Sequence, residues 1–252
     1  MIRFVVLAAP RTGSNWLCSL LDSHPSVLCH HEIFNPEGIH TAISTRTRDL
    51  GFGTVAERDL DPLSALERVW RCRLGNRAVG FKLNRGQSTV VFRRVLANAE
   101  VRKIVIRRSN RVRTYVSETL AERTGEWESY EWIKTSDTRT TVWVDPDQLQ
   151  RHVSMNCRYY DEIDKALAAS RAPALHVRYE DLGQQQVRQR MLQFLDVAPD
   201  VSLRPGTRRQ NPAPLKVLIE NFKDLHHALQ GSDLQRDLLD EGEDADRREA
   251  GG

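Results

Sequence analysis

The chain is sparing with several residue types, and each shortage excludes something. Its four cysteines, Cys18, Cys29, Cys72 and Cys157, form no C-x-x-C pair, so neither a zinc site nor a dense disulfide framework is indicated. No metal site is expected, and reduced thiols in a cytoplasm are. Long apolar runs are missing as well. The one N-terminal run, from Ile2 to Pro10, is too short to span a bilayer or to serve as the apolar part of a signal peptide, which makes a soluble, cytoplasmic protein the expectation. An excess of either charge is also lacking: 37 basic and 34 acidic side chains leave a formal +3, too little to imply wholesale binding of nucleic acid or membrane. The balance is uneven along the chain, because residues 231–252 hold eight acidic residues against three arginines, net −5, which leaves about +8 on residues 1–230. Two phosphate-loop signatures, G-x-x-x-x-G-K-[ST] and G-x-G-x-x-G, are absent.

What is present is a strand and helix alternation. With 252 residues, 40% of them hydrophobic, the chain has ample length for a buried core. Ile2 to Ala8 is a near-continuous apolar run closed by Pro10 and Gly13, which predicts a central strand. From Ser14 the apolar residues Trp16, Leu17, Leu20 and Leu21 recur at helical spacing until His24-Pro25. Arg77 to Leu83, Arg102 to Ile106 and Ala174 to Val177 read as further buried strands, each followed by a helical segment. Helices are predicted over Pro62–Arg73, Asn110–Arg123, Pro146–Ser170, Gln184–Leu195 and Pro214–Gln230. The pattern predicts an α/β fold with a mainly parallel sheet flanked by helices, in a single domain over residues 1–230. Two stretches break it: 37–61, and 124–145 with Trp127, Trp132 and Trp143, which either stack on a ligand or pack a helix edge. The acidic tail from 231 to 252 is expected to be disordered.

A strand that turns through Pro10-Arg11-Thr12-Gly13-Ser14 into a helix offers backbone N–H groups and the positive end of a helix dipole at the C-terminal edge of a sheet. Gly13 permits close approach, Thr12 and Ser14 carry hydroxyls, and Arg11 adds a charge shaped for phosphate. Two basic clusters support the phosphate reading. Between Arg102 and Arg113 there are six basic residues and no acidic one, and Arg208-Arg209-Gln210 precedes the last predicted helix.

These residues resemble the P-loop-like sulfotransferases that use 3′-phosphoadenosine 5′-phosphosulfate (PAPS), especially the bacterial nodulation-factor and trehalose branch. The likeness is carried by Val6 to Leu17, His24 to Leu28 with Glu32, Val79 to Asn84, Ile104 to Arg108, Arg208 to Gln210 with Pro214-Leu215, and Ile219 to Phe222. It covers most of residues 1–230. The resemblance implies a P-loop-like three-layer fold and a loop of Arg11, Thr12, Gly13, Ser14, Asn15 and Trp16 for the 5′-phosphosulfate. Arg11 stands where many members have lysine, and Trp16 is placed to contact the adenine. It implies Arg108, or Arg107 beside it, and Ser117 at the 3′-phosphate, with Arg208, Arg209 and Gln210 completing that site. The animal cytosolic members carry a histidine two residues after the strand-end lysine, whereas Lys82 is followed at that spacing by Asn84. The bacterial branch points instead to Glu32 as the base, with His30 or His31 as alternatives.

The implied chemistry is in-line, metal-independent transfer of a sulfuryl group from PAPS to a hydroxyl of a carbohydrate, glycolipid or other small molecule, with 3′-phosphoadenosine 5′-phosphate (PAP) as the product. Glu32 accepts the hydroxyl proton, Arg11 stabilises the leaving group, and Lys82 assists at the sulfuryl oxygens. Three other readings compete. A small-molecule kinase would want the missing loop lysine, a nucleic-acid module would want more aromatics along the Arg102–Arg113 stripe, and a non-catalytic nucleotide-binding homologue is compatible with the missing histidine.

Overall fold

The computed structural model describes residues 1–127, 140–207 and 213–240. Five strands, β1 (Ile2–Ala8), β2 (Val27–His30), β3 (Ala78–Asn84), β4 (Val101–Arg107) and β5 (Ala174–Arg178), form one sheet in the order β2-β3-β1-β4-β5. Every pairing is parallel. β1 is central, and its residues Phe4 to Ala8 are fully buried. That is why its run is apolar at every position instead of alternating: a strand covered on both faces has no polar side.

Helices cover the two faces. On one, α1 (Ser14–Asp22) and α7 (Gln185–Phe194) pack on Phe4, Val6, Ile104 and Ile106. On the other, α3 (Pro62–Arg71), α4 (Thr89–Ala97) and α6 (Pro146–Ser170) pack on Val5, Leu7, Phe81, Leu83 and Val105. A third apolar cluster joins α5 (Arg111–Thr124) and the start of α6 to residues 215–238. The expected α/β class, with a central parallel sheet between helices, is what the structure has. Between β2 and α3 lies one more short helix, α2 (Val55–Leu60).

Several local expectations need correction. β2 was not predicted: its four residues follow Pro25 and end in His30, too short a run to stand out. The helix expected over Pro214–Gln230 is divided into α8 (Leu215–Leu218) and α9 (Phe222–Ala228). The break has a tertiary cause. Leu218 accepts a hydrogen bond from the Val142 N–H at 2.8 Å, the Glu220 N–H donates to Val142 at 2.9 Å, and Asn221 braces Val144 through both its backbone groups. The segment expected to be a disordered tail is helical in its first part. Residues Asp233–Leu239 form α10, which buries Leu234 and Leu238 against the third cluster, while residues 241–252 lie outside the described residues. Trp127 and Trp143 are exposed, and Trp132 lies outside the described residues. Among the described residues no helix is long and apolar enough to cross a membrane.

The chain runs from β1 to one side of the sheet and then crosses to the other between β3 and β4, so the order reverses around β1. In open α/β sheets the crevice at such a reversal, at the C-terminal strand ends, is where ligands bind. The β1–α1 turn and the ends of β3 and β4 meet there. Close packing below the crevice is tight at Gly80, where a Cβ would stand 2.5 Å from the Phe4 ring. Gly80→Ala is expected to cost about 1–3 kcal/mol through overpacking, read as a lower urea midpoint; an unchanged midpoint would contradict this packing.

Candidate active site

The β1–α1 turn has the backbone that anion binding requires. Gly13 is the N-cap of α1, with φ 87° and ψ 13°, and no side chain caps the first turn. The first N–H groups of the helix are therefore left without a side-chain cap, and no acidic residue opposes them there. Only glycine fits at 13, because the positive φ is compounded by the Tyr179 ring, which lies where a Cβ would stand. Thr12 is buried and donates its hydroxyl to the Ala9 carbonyl at 2.8 Å, a bond that helps to shape the turn.

Basic groups gather around this turn. Arg11, itself at φ 60°, donates from Nε to Ser117 Oγ at 2.9 Å and from Nη1 to the Trp127 carbonyl at 2.5 Å. The Arg108 guanidinium lies 4.6 Å from the centre of the Tyr179 ring and donates to the Arg11 carbonyl at 3.3 Å. Trp16 meets the same Tyr179 edge-on, with ring centres 6.1 Å apart. Arg107 points elsewhere. It grips both oxygens of Asp164 at 2.8 and 2.7 Å and lies over Tyr160. Of the pair left open by the sequence, Arg108 is therefore the one brought to the turn. The rest of the basic stripe is largely occupied within the fold: Lys103 is fully buried, Arg111 pairs with Asp237 at 2.6 Å, and Arg113 donates to the Ala213 carbonyl at 3.0 Å.

On the other side of the crevice Lys82, near the end of β3 and 1% exposed, lies 2.6 Å from Glu32 Oε1 and also donates to Asn15 Oδ1 of α1. The second oxygen, Glu32 Oε2, accepts from Gln87 Nε2 at 2.5 Å and Asn35 Nδ2 at 2.8 Å. Gln87 in turn accepts from the Asn84 N–H at 3.1 Å. Burial of Glu32 raises its pKa, but the Lys82 charge and the three side-chain hydrogen bonds outweigh it, and the net shift is downward. Glu32 is thus an ionised carboxylate held against an ammonium.

The two histidines beside it are placed differently. His30 is buried against Phe52 and accepts the Ala42 N–H on Nδ1 at 3.1 Å; burial, with the neighbouring His31, lowers its pKa to about 3. His31 is buried within reach of the Asp22 charge on α1, and its carbonyl accepts from the Lys82 N–H. Of the three candidate bases, the structure brings Glu32 to Lys82. Arg208, Arg209 and Gln210 lie outside the described residues. Asn35, Gln87 and Tyr179 were missed as site residues. Asn35 follows Glu32 by three positions and Gln87 follows Asn84 by three, but only the fold shows that both reach one carboxylate. Among the described residues no cluster of histidine, cysteine and carboxylate side chains is suited to a metal ion.

No family model matches the chain. Nodulation protein H of Rhizobium tropici is 25% identical over 236 residues, covering 90% of this chain and 89% of that protein. The chain is similar to Nodulation protein H over nearly its whole length. The resemblance to the nodulation branch read from the sequence is thereby met in a curated protein. Two solved structures are also similar: a sulfotransferase from Alicyclobacillus acidocaldarius, at 14% identity and TM-score 0.49 over 91% of this chain and 90% of that one, and mouse sulfotransferase SULT7A1 complexed with PAP, at 13% and 0.42 over 94% and 87%.

The Lys82–Glu32 pair has a pH signature. Because folding lowers the Glu32 pKa below its ordinary 4.5, the unfolded chain binds that proton more tightly. The stabilisation is full above the unfolded value and is lost as pH falls through the folded one. Glu32→Gln leaves the Lys82 charge buried without its counter-ion and is expected to cost about 3 kcal/mol at neutral pH. In denaturant melts the gap between wild type and variant should close as pH falls below the ordinary 4.5 and through the lowered folded value; a gap independent of pH would contradict the pair.

Proposed function

We propose that this protein is a PAPS-dependent sulfotransferase that moves a sulfuryl group to a hydroxyl acceptor and releases PAP. The observation that carries the reading is the meeting, at one sheet edge, of an uncapped helix N-terminus flanked by Arg11 and Arg108 with a buried lysine and carboxylate, Lys82 and Glu32. The likeness to Nodulation protein H over 90% of the chain supports it.

The residues fit the cofactor's charge pattern. The Gly13 turn admits a phosphate against the backbone, and no carboxylate lies in the first turn of α1 to repel it. Arg11, Thr12 through the turn it shapes, Gly13, Ser14 and Asn15 hold the 5′-phosphosulfate end. Trp16 contacts the adenine, Arg108 and Ser117 hold the 3′-phosphate, and Arg208, Arg209 and Gln210 complete that end. When bound, PAPS supplies an activated sulfuryl group on a stable leaving group. Glu32 is ionised at neutral pH and takes the proton from the acceptor hydroxyl. Gln87 and Asn35 fix one of its oxygens, leaving Oε1, beside Lys82, as the face where charge changes hands. Lys82 bridges Asn15 and Glu32, so its charge serves the anion site and the base together. Arginine, lysine and the helix terminus supply the positive charge, and the transfer is metal-independent. The acceptor is a hydroxyl of a carbohydrate, glycolipid or other small molecule. Four free cysteines fit a reducing cytoplasm.

Transfer of labelled sulfuryl from PAPS to a panel of hydroxyl acceptors tests the reading. Turnover is expected to survive excess EDTA. Glu32→Gln should lower kcat by about 100-fold or more while PAP affinity changes little, and Arg11→Ala should weaken both. Wild-type turnover in Glu32→Gln would remove Glu32 from the chemistry.

A further inference from the structure

The loop that carries Glu32 is held by a helix with no core of its own. α2 has six residues closed by a capping box between Thr54 and Glu57, and its one buried side chain is Arg58, 1% exposed. Leu60 on the same helix is 88% exposed. A helix that buries no apolar side chain adds little to hydrophobic stability. What α2 places in the interior is a guanidinium.

That guanidinium reaches back to the loop after β2. Arg58 Nη1 donates to the carbonyls of Ile33 at 2.8 Å, Asn35 at 2.7 Å and Gly38 at 3.0 Å, and Asp59 takes Nε at 2.8 Å. The loop's own backbone bonds are longer: Asn35 N–H to the Glu32 carbonyl at 3.3 Å, Gly38 N–H to Asn35 at 3.3 Å and His40 N–H to Glu32 at 3.2 Å. Ile33 and Phe34 are anchored in the core, but Pro36 and Glu37 are exposed. A shorter bond within the loop runs from the Glu37 N–H to Asn35 Oδ1 at 2.8 Å, and the charge-assisted bonds from Arg58 tie this half of the loop, Asn35 included, to α2. Asn35 is also the residue whose amide meets Glu32 Oε2 at 2.8 Å.

Resting on the reading of Glu32 as the base, we infer that Arg58 is a positioning residue for it: by gathering three carbonyls of residues 33–38, Arg58 fixes Asn35, and Asn35 fixes the Glu32 carboxylate. Lysine is expected to keep this role only in part, because a single ammonium cannot hold Asp59 and the three carbonyls at once as Nε, Nη2 and Nη1 do together. The bond from Asn35 is one of those that lower the Glu32 pKa, so loosening the loop should let that pKa rise.

The test is a carboxyl-carbon NMR titration of Glu32 in the full chain, assigned with Glu32→Gln, in wild type, Arg58→Met, Arg58→Lys, Asn35→Ala and the double variant Arg58→Met/Asn35→Ala. The expected result is an upward move of the Glu32 titration in Arg58→Met equal to that in Asn35→Ala, no further move in the double variant, and an intermediate move in Arg58→Lys. In turnover, kcat should fall about 10- to 100-fold with the KM for PAPS and the affinity for PAP nearly unchanged. A folded Arg58→Met whose Glu32 titrates as in wild type would overturn the inference, as would additive effects or a parallel loss of PAP affinity. Should Arg58→Met fail to fold, an Arg58→Lys titration identical to wild type would overturn it equally. If wild type neither binds PAP nor transfers sulfuryl, the sulfotransferase reading falls, while the titration still decides whether Arg58 positions Glu32.

Discussion

Lys82 carries a positive charge into a place with almost no solvent, and the architecture of the crevice follows from having to neutralise it there. An ammonium buried without a counter-ion costs several kcal/mol. Glu32, from the loop after β2, and Asn15, from the first turn of α1, both converge on it. Once Glu32 is drawn in, its other oxygen must also be satisfied, which recruits Gln87 from the turn after β3 and Asn35 from its own loop. One buried charge thus ties together three connections that are far apart in sequence.

The opposite wall of the crevice is organised by an aromatic ring. Tyr179 fills the space over Gly13, meets Trp16 at its edge and lies under the Arg108 guanidinium. Its ring leaves no room for a side chain at position 13. Behind it Tyr160 accepts the Ala9 N–H at 2.9 Å and donates to the Ile106 carbonyl at 2.8 Å, pinning the ends of β1 and β4 to one another. The Gly13 turn with Arg108 and the Lys82–Glu32 pair are therefore built on neighbouring strand ends, one on either side of β1.

Much of this was legible in the sequence because it is local. The run Ile2 to Ala8, the turn at Gly13 and the helix from Ser14 are read from neighbouring residues, and the structure has them at those positions. The bounds Pro146 to Ser170 were read directly from Pro146 and the helical spacing after it. What escaped depends on contacts across the fold. β2 is only four residues long and is held by pairing with β3. The helix expected through Ile219 gives way because Val142 takes its backbone groups on both sides. The basic stripe reads as one feature in sequence, yet Arg107 and Arg108 turn to opposite partners, Asp164 and Tyr179. Thr12 reads as a ligand donor, and only the fold shows its hydroxyl bonded to the Ala9 carbonyl of its own turn. Periodicity shows which residues are buried; it does not show which partner each polar group finds.

The central claim is that this crevice is built for an adenosine 3′,5′-bisphosphate and its sulfuryl adduct. Calorimetric titration of the purified protein with PAP, set against ATP with magnesium, addresses it most directly. Micromolar binding of PAP, lost in Gly13→Ala and undisturbed by EDTA, is the result the account predicts. Binding of ATP with magnesium and not of PAP would contradict it and point to phosphoryl transfer in the same crevice.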